Sequence, residues 1–236
     1  MKTFVKDIDM RLKAVLLGAC AFLLVAAVSC KKDNVILYND VSFVTAVAGR
    51  YYTDFGLEYV IVENASEREI PAEGRLIISS DILKKVKTGV YNVRINDFAL
   101  PLTKDAAPAA VVPTQDDPTL IENGWFSGGY LNVLLGLYVK NDSDVKHILN
   151  LAYTLPTETN DTLYLQLRHN ALGDVPTTPA QAETEDFTYA RTYACFRMNE
   201  LLPEGTVAPV KVTWRWFVDE DSSETEESKF IVKLKF

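Results

Sequence analysis

The chain has 236 residues and a formal net charge of −8, from 32 acidic and 24 basic residues. A surface with this excess of negative charge repels polyanions, and no basic stripe in the sequence offsets it, so nucleic acid is not an expected partner. The length allows one large β domain or two small ones.

The first thirty residues have the layout of a secretory signal: a basic stretch, an apolar run over residues 14–28, and small residues before Cys30. As a helix, this run would be roughly 22 Å long, short of the roughly 30 Å hydrocarbon core of a bilayer. A cysteine directly after Ala27-Val28-Ser29 resembles the lipobox of bacterial lipoproteins, in which the thiol receives diacylglycerol. We therefore predict a cleaved signal peptide over residues 1–29 and a lipid anchor at Cys30.

Other interpretations of the leader are weaker. Leu17-Gly18-Ala19-Cys20 also has the form of a lipobox, but cleavage there would leave an apolar run of only six residues. Met10 opens a compact twenty-residue signal and is an alternative start to Met1. An uncleaved membrane anchor is disfavoured by its length. Because the leader holds four basic and two acidic residues, its removal changes the net charge to −10.

After the leader, short runs rich in β-branched and aromatic residues alternate with glycine and proline, which predicts an all-β fold. We interpret residues 35–102 as a small OB-like barrel domain, with one helical turn as an option over 81–87. Residues 103–117, rich in alanine and proline and without alternation, predict a linker. The predicted barrel strands cover residues 42–48, 57–62, 75–80 and 90–100.

Residues 118–236 predict an antiparallel β-sandwich, because their strands have one apolar and one polar face. The acidic segment 219–228 predicts the tip of the last hairpin. The predicted strands cover residues 130–138, 147–153, 162–169, 187–198, 210–218 and 229–236. The residues placed on the apolar faces of the last two strands are Val210, Val212, Trp214, Trp216 and Val218, and then Phe230, Val232, Leu234 and Phe236. Lys229, Lys233 and Lys235 lie on the opposite face of the last strand.

Two segments carry a resemblance to a known family: residues 129–133, Gly-Tyr-Leu-Asn-Val, and residues 165–170, Leu-Gln-Leu-Arg-His-Asn, with Gly173-Asp174 just after. In this order, after a lipobox and an alanine- and proline-rich segment, they resemble the NigD-like lipoproteins of Bacteroidetes. The resemblance implies an N-terminal OB-type barrel, a C-terminal β-sandwich and an association with a bacteriocin locus. It implies no established molecular activity.

The same resemblance implies attachment to the outer membrane through the lipid at Cys30. Surface export in this phylum favours acidic residues just after the cysteine, whereas Lys31-Lys32-Asp33 is mainly basic. We therefore expect the periplasmic face of the outer membrane rather than the cell surface.

Four residues are candidates for a binding site. His169 lies between Arg168 and Asn170 at the end of a predicted strand, where it could contact a ligand or form a polar cap on the sandwich. Trp125 could stack on a sugar, although a core aromatic residue at the junction of the two domains is the preferred interpretation.

Other features indicate modification or are structurally neutral. Thr162, within Asp161-Thr162-Leu163, matches an O-glycosylation acceptor of Bacteroidetes. Cys195 lacks a partner for an internal disulfide and predicts a buried, inert thiol. The acidic run 219–227 could gather calcium, but it lacks the central glycine of an EF-hand loop, so an exposed hairpin tip is favoured. His147 has no neighbouring histidine or cysteine in the sequence, so no metal site is expected.

No nucleophile elbow, Walker motif or His-Glu-x-x-His motif occurs, and no catalytic residue or cofactor is expected. The leading hypothesis is a non-catalytic envelope lipoprotein that binds a protein or an envelope polymer. One alternative is a fimbrillin-like subunit that polymerises by strand donation. Another is a glycan hydrolase, which would need two carboxylates about 5–9.5 Å apart in a cleft.

The lipid anchor gives the first testable prediction. Replacement of the acylated thiol by Cys30→Ser should abolish palmitate labelling and partitioning into the detergent phase, whereas Cys20→Ser should change neither. Continued labelling of the Cys30→Ser variant would contradict the assignment.

Overall fold

The computed structural model describes residues 37–184, 186–198 and 200–236, so the predicted leader and Cys30 lie outside the described residues. The described chain consists almost entirely of β-strands, and none of its helices is long and apolar enough to cross a membrane. The strands are β1 (Tyr38–Val47), β2 (Arg50–Thr53), β3 (Glu58–Asn64), β4 (Gly74–Lys87), β5 (Val90–Ala99), β6 (Leu102–Asp105), β7 (Ala107–Pro108), β8 (Leu120–Ser127), β9 (Tyr130–Lys140), β10 (Ile148–Thr154), β11 (Leu163–Asn170), β12 (Phe187–Arg197), β13 (Val207–Phe217) and β14 (Thr225–Lys235). A short helix, α1 (Pro179–Thr184), precedes β12.

Strands β1 to β5 form a closed barrel in the order β1-β2-β3-β5-β4. β1 is antiparallel to both β2 and β4, and β3 closes the barrel by parallel pairing with β5. Five strands with this closure are typical of an OB-type barrel. Alternate residues of each strand fill the interior, because successive side chains of a strand point to opposite faces. The buried aliphatic residues of this core include Val44, Leu76, Ile78, Ile82, Val93 and Ile95.

Residues 81–87, for which a helical turn was an option, belong to β4 instead. Ile82 is buried in the barrel, and the Asp81 carboxylate accepts hydrogen bonds from the Arg94 guanidinium of β5. Partners from two neighbouring strands therefore extend β4 through a segment whose local sequence does not specify a strand.

The remaining strands form two sheets that pack face to face as a β-sandwich. The five-stranded sheet has the order β14-β13-β11-β10-β7, and the four-stranded sheet has the order β6-β12-β9-β8. Their inner faces share one apolar core, which confirms the predicted all-β fold with a sandwich. The largest fully buried residues of this core are Leu131, Leu135, Leu151, Leu163, Leu165, Leu167 and Phe196.

The last two strands follow the predicted alternation except at their ends. Trp214 is buried and Trp216 is half-buried against the core, but Val218 is exposed because β13 ends at the buried Phe217. β14 begins at Thr225, so the hairpin tip is shorter than the predicted segment 219–228.

The prediction that residues 103–117 form an unpaired linker is wrong in its first part. β6 pairs in parallel with β12, and β7 pairs in parallel with β10, so this segment forms one edge of each sheet. The Lys104 ammonium also donates a hydrogen bond to the Leu149 carbonyl at 2.9 Å. Alanine and proline are tolerated here because an edge strand pairs on one side only.

Candidate functional site

The polar end of β11 is buried rather than exposed. His169 has no solvent-exposed surface, and its ring nitrogens lie 3.1 Å from the Pro118 carbonyl oxygen and 3.0 Å from Nδ1 of His147. On its other side, His147 lies 3.5 Å from a carboxylate oxygen of Asp174. Burial lowers the pKa of His169, so its neutral form is favoured in the folded protein. Among the described residues, no cluster of side chains could hold a metal ion.

The neighbours of His169 also contact the protein itself. The Arg168 guanidinium donates hydrogen bonds to the carbonyls of Val112 and Pro113, at 2.7 and 3.2 Å. The Asn170 side-chain oxygen accepts a hydrogen bond from the Leu172 amide at 2.8 Å. Arg168, His169 and Asn170 therefore fix the segment before β8 and the turn after β11, and these contacts leave His169 no surface for a ligand.

Trp125 lies where the barrel meets the sandwich. Its ring makes edge-to-face contacts with Phe43 of the barrel and Tyr193 of the sandwich, at centroid distances of 5.2 and 6.4 Å. Phe43 also contacts Tyr193 at 5.5 Å, so the three rings form one cluster across the junction. Contacts of this kind stabilise an interface beyond the area they bury.

A buried ion pair lies beside this aromatic cluster. The Arg75 side chain of β4 is fully buried and donates two hydrogen bonds to the Asp54 carboxylate, at 2.5 and 2.6 Å. It donates a third to the Asn132 side-chain oxygen of β9 at 2.9 Å, and its guanidinium lies 4.5 Å from the centre of the Tyr130 ring. Ser127, at the end of β8, donates a hydrogen bond to Asp54 at 2.5 Å. The pair therefore joins the two domains.

The turn between β8 and β9 leaves space for the Asp54 carboxylate at this junction. Gly128 has a positive φ of 57°, and a Cβ atom there would collide with the Asp54 carboxylate.

Cys195 is buried next to the Arg75 guanidinium, and burial raises the pKa of its thiol. The thiol is therefore buried and protonated, as the sequence predicted.

Two further predicted features lie on the surface. Thr162 is half-exposed in the loop before β11, with its backbone amide bonded to the Asn160 side chain at 3.1 Å. In the acidic run 219–227, the last three residues, from Thr225 on, belong to β14, and residues 219–224 form the hairpin tip. Modification of Thr162 stays a prediction.

An apolar cavity of about 760 Å³ opens between the two sheets, at the end of the sandwich nearest the β8–β9 turn. Its volume lies within the range of ligand-binding pockets. The apolar side chains that line it come from β8, from the segment after β12 and from the end of the chain: Phe126, Met198, Leu201, Leu202, Leu234 and Phe236. Lys235 and Glu200 add charge to its wall. The cavity is the candidate binding site, and nothing in the local sequence pointed to it.

A second cavity, of about 620 Å³, lies beside α1 at the hairpin tip of β13 and β14. The rings of Tyr138 and Trp216 stack there at 5.9 Å, and the Tyr189 hydroxyl donates a hydrogen bond to Glu122 at 2.7 Å. The aromatic groups contact one another, so this cavity is a weaker candidate than the apolar one.

An OB-type barrel followed by a two-sheet β-sandwich, joined through a buried ion pair, defines the chain as a two-domain β protein. Residues 105–227, more than half of the chain, match the family model of the NigD-like C-terminal beta sandwich domain, and the chain belongs to the NigD-like family. No curated protein matches the sequence.

Several solved structures of bacterial proteins have the same fold. A NigD-like immunity protein from Bacteroides caccae has 20% identity and a TM-score of 0.61, with 81% of this chain and 91% of that chain covered. A protein named as toxin related from Parabacteroides distasonis has 20% identity, a TM-score of 0.59 and coverages of 83% and 93%. A Bacteroides fragilis protein named as a lipoprotein has 11% identity, a TM-score of 0.59 and coverages of 84% and 99%. At these identities the likeness shows the fold alone.

The buried histidine predicts a pH dependence of stability. Because burial lowers the pKa of His169, the unfolded chain binds a proton on this side chain that the folded chain does not. The free energy of unfolding should therefore fall as the pH drops below about 6.5, by at most about 1.4 kcal/mol per pH unit from this group. His169→Gln should flatten the profile measured by urea unfolding between about pH 7.5 and 5.5. An unchanged slope would contradict the prediction.

Proposed function

We propose that the protein is a non-catalytic lipoprotein of the cell envelope that binds another protein at the apolar cavity. The observation that carries this proposal is the cavity itself, about 760 Å³ in volume and lined mainly by apolar side chains. Water in such a space has few polar partners, so apolar groups of a partner would displace it favourably.

Several features support binding rather than catalysis. Histidine is the side chain most used for acid–base chemistry, and here His169 is buried with protein groups at both ring nitrogens, while the side chain of His147 is only 7% exposed. The names of two structural neighbours, an immunity protein and a toxin-related protein, fit a module that binds a toxin-like polypeptide. An envelope polymer is the other class of partner, and the apolar lining favours a protein over a hydrophilic polymer.

The proposed anchor would precede the end of β1 that is farther from the sandwich, whereas the cavity lies at the end of the sandwich next to its junction with the barrel. The segment from Cys30 to Leu37 spans at most roughly 25 Å, so the barrel would lie close to the membrane. β1 begins at Tyr38, opposite Ile82, and reaches the sandwich junction at Phe43, whose ring contacts Trp125, and at Thr45, opposite Arg75. Attachment through Cys30 to the periplasmic face of the outer membrane would therefore present the sandwich away from the lipid surface.

A photoreactive amino acid at a cavity residue tests the proposal in cells. Placed at Leu202, it should crosslink to one protein, whereas the same group at Val86, exposed on the barrel, should not. The variant Phe126→Ala, which removes a cavity wall, should weaken the crosslink at Leu202 without changing the amount of protein. Equal crosslinking from both positions, or crosslinking only to glycan, would contradict the proposal.

A further inference from the structure

In the part of the chain that the structure describes, the last strand leaves one edge of the five-stranded sheet without a partner strand. β14 is 11 residues long and stands at the end of the strand order, paired with β13 alone. Among the described residues, no backbone hydrogen bond reaches its outer side. A long edge of this kind is a template for pairing with another extended segment.

The hydrogen bonds at the end of β14 show which of its backbone groups point towards β13 and which point to the free edge. The Phe236 amide donates to the Thr206 carbonyl at 2.8 Å, and the Gly205 amide donates to the Phe236 carbonyl at 2.5 Å. Because backbone groups alternate sides along an antiparallel strand, the even-numbered residues of β14 bond to β13. The odd-numbered residues direct their amides and carbonyls to the free edge: Lys229, Ile231, Lys233 and Lys235.

The apolar cavity lies beside this free edge. Leu234 and Phe236 line it from the end of the chain, and Phe126 lines it from β8, which is the edge strand of the opposite sheet. The rings of Phe126 and Phe230 lie 6.5 Å apart, so the two edges face each other across the open side of the sandwich. A strand added to β14 would place every second side chain towards the cavity.

The outer face of the same strand carries positive charge. Lys229, Ile231, Lys233 and Lys235 project from it, with Ile231 65% exposed. Among the described residues, none of these three lysines takes part in an ion pair, whereas the neighbouring Lys211 pairs with Glu227 at 3.5 Å. Side chains directly opposite one another on adjacent strands stabilise a sheet when their charges are opposite.

We propose that β14 accepts an extended segment of a partner protein as an additional strand. The segment has alternating side chains: apolar ones directed towards the cavity and acidic ones directed towards the lysines. Backbone hydrogen bonds supply affinity and the alternate side chains supply selectivity. This inference rests on the proposed function and names the chemistry of the partner at that site.

A second copy of the chain paired about Ile231 would place like charges opposite one another. In an antiparallel pair of β14 strands centred on Ile231, Lys229 of each copy would lie opposite Lys233 of the other. Like charges at directly opposite positions destabilise a sheet, and lysines on edge strands commonly prevent self-association. The lysines therefore favour an acidic segment of another protein over a homodimer.

Binding of synthetic peptides to the full mature protein in detergent tests the proposal. The probe is a labelled peptide of about ten residues in which glutamate alternates with valine or leucine, a length matched to a typical long strand. It should bind the wild type, and a matched peptide with lysine in place of glutamate should bind at least about tenfold more weakly, because it places like charges opposite the lysines.

Two variants separate the backbone from the charge. Lys233→Pro removes an amide on the free edge and leaves the bonds to β13 in place, so it should weaken peptide binding about tenfold, whereas Lys233→Ala should weaken it less. The double variant Lys229→Glu with Lys233→Glu should reverse the preference, so that the lysine peptide binds better. Circular dichroism and melting temperature confirm that each variant is folded.

The proposal is overturned if neither peptide binds the wild type, or if folded Lys233→Pro binds as well as Lys233→Ala. A dimer in gel filtration that Lys233→Pro disrupts would assign the edge to a second copy and also overturn it. If the Leu202 crosslink persists in Lys233→Pro, the partner binds the cavity without strand addition. In that case this inference fails while the proposed function stands.

Discussion

The buried ion pair between Arg75 and Asp54 is the interaction on which the arrangement of the two domains depends. A guanidinium without solvent exposure needs a compensating charge, and here the Asp54 carboxylate of the barrel supplies it. Asn132 of the sandwich accepts a further hydrogen bond from the same guanidinium, whereas its buried Nε has no hydrogen-bond partner. Loss of either partner would leave an uncompensated charge in the junction. The position of the sandwich relative to the N-terminal end of β1 therefore follows from this contact.

Residues 129–133, a segment that carried the family resemblance, include the sandwich residues that contact Arg75 at this junction. Tyr130 stacks on the Arg75 guanidinium and Asn132 accepts its hydrogen bond. The turn before them includes Gly128, whose lack of a side chain leaves room for the Asp54 carboxylate. The motif thus has a structural role in holding the barrel against the sandwich, and with it the cavity at that end of the sandwich.

Alternation in the sequence was sufficient to predict the long strands, because a half-buried strand needs apolar residues at every second position. It missed β2, β6 and β7, which have only two to four residues each, and β8, an edge strand that includes Gly124. The polar end of β11 looked like an exposed site because the partner of His169 is His147, which is distant in the sequence and lies just before β10. The cavity and the free edge of β14 depend on the order of strands in the sheets, which is a long-range property that local patterns do not encode.

Addition of a partner strand requires that the outer backbone groups of β14 are free of hydrogen bonds before the partner binds. Residue-resolved hydrogen exchange along β14 tests this directly, because exchange reports whether each amide is hydrogen-bonded. The amides of Phe230, Val232 and Leu234 should be protected by their bonds to β13, while those of Lys229, Ile231 and Lys233 should exchange rapidly. Uniform protection from Lys229 to Leu234 would show that the edge is already covered and would contradict the account.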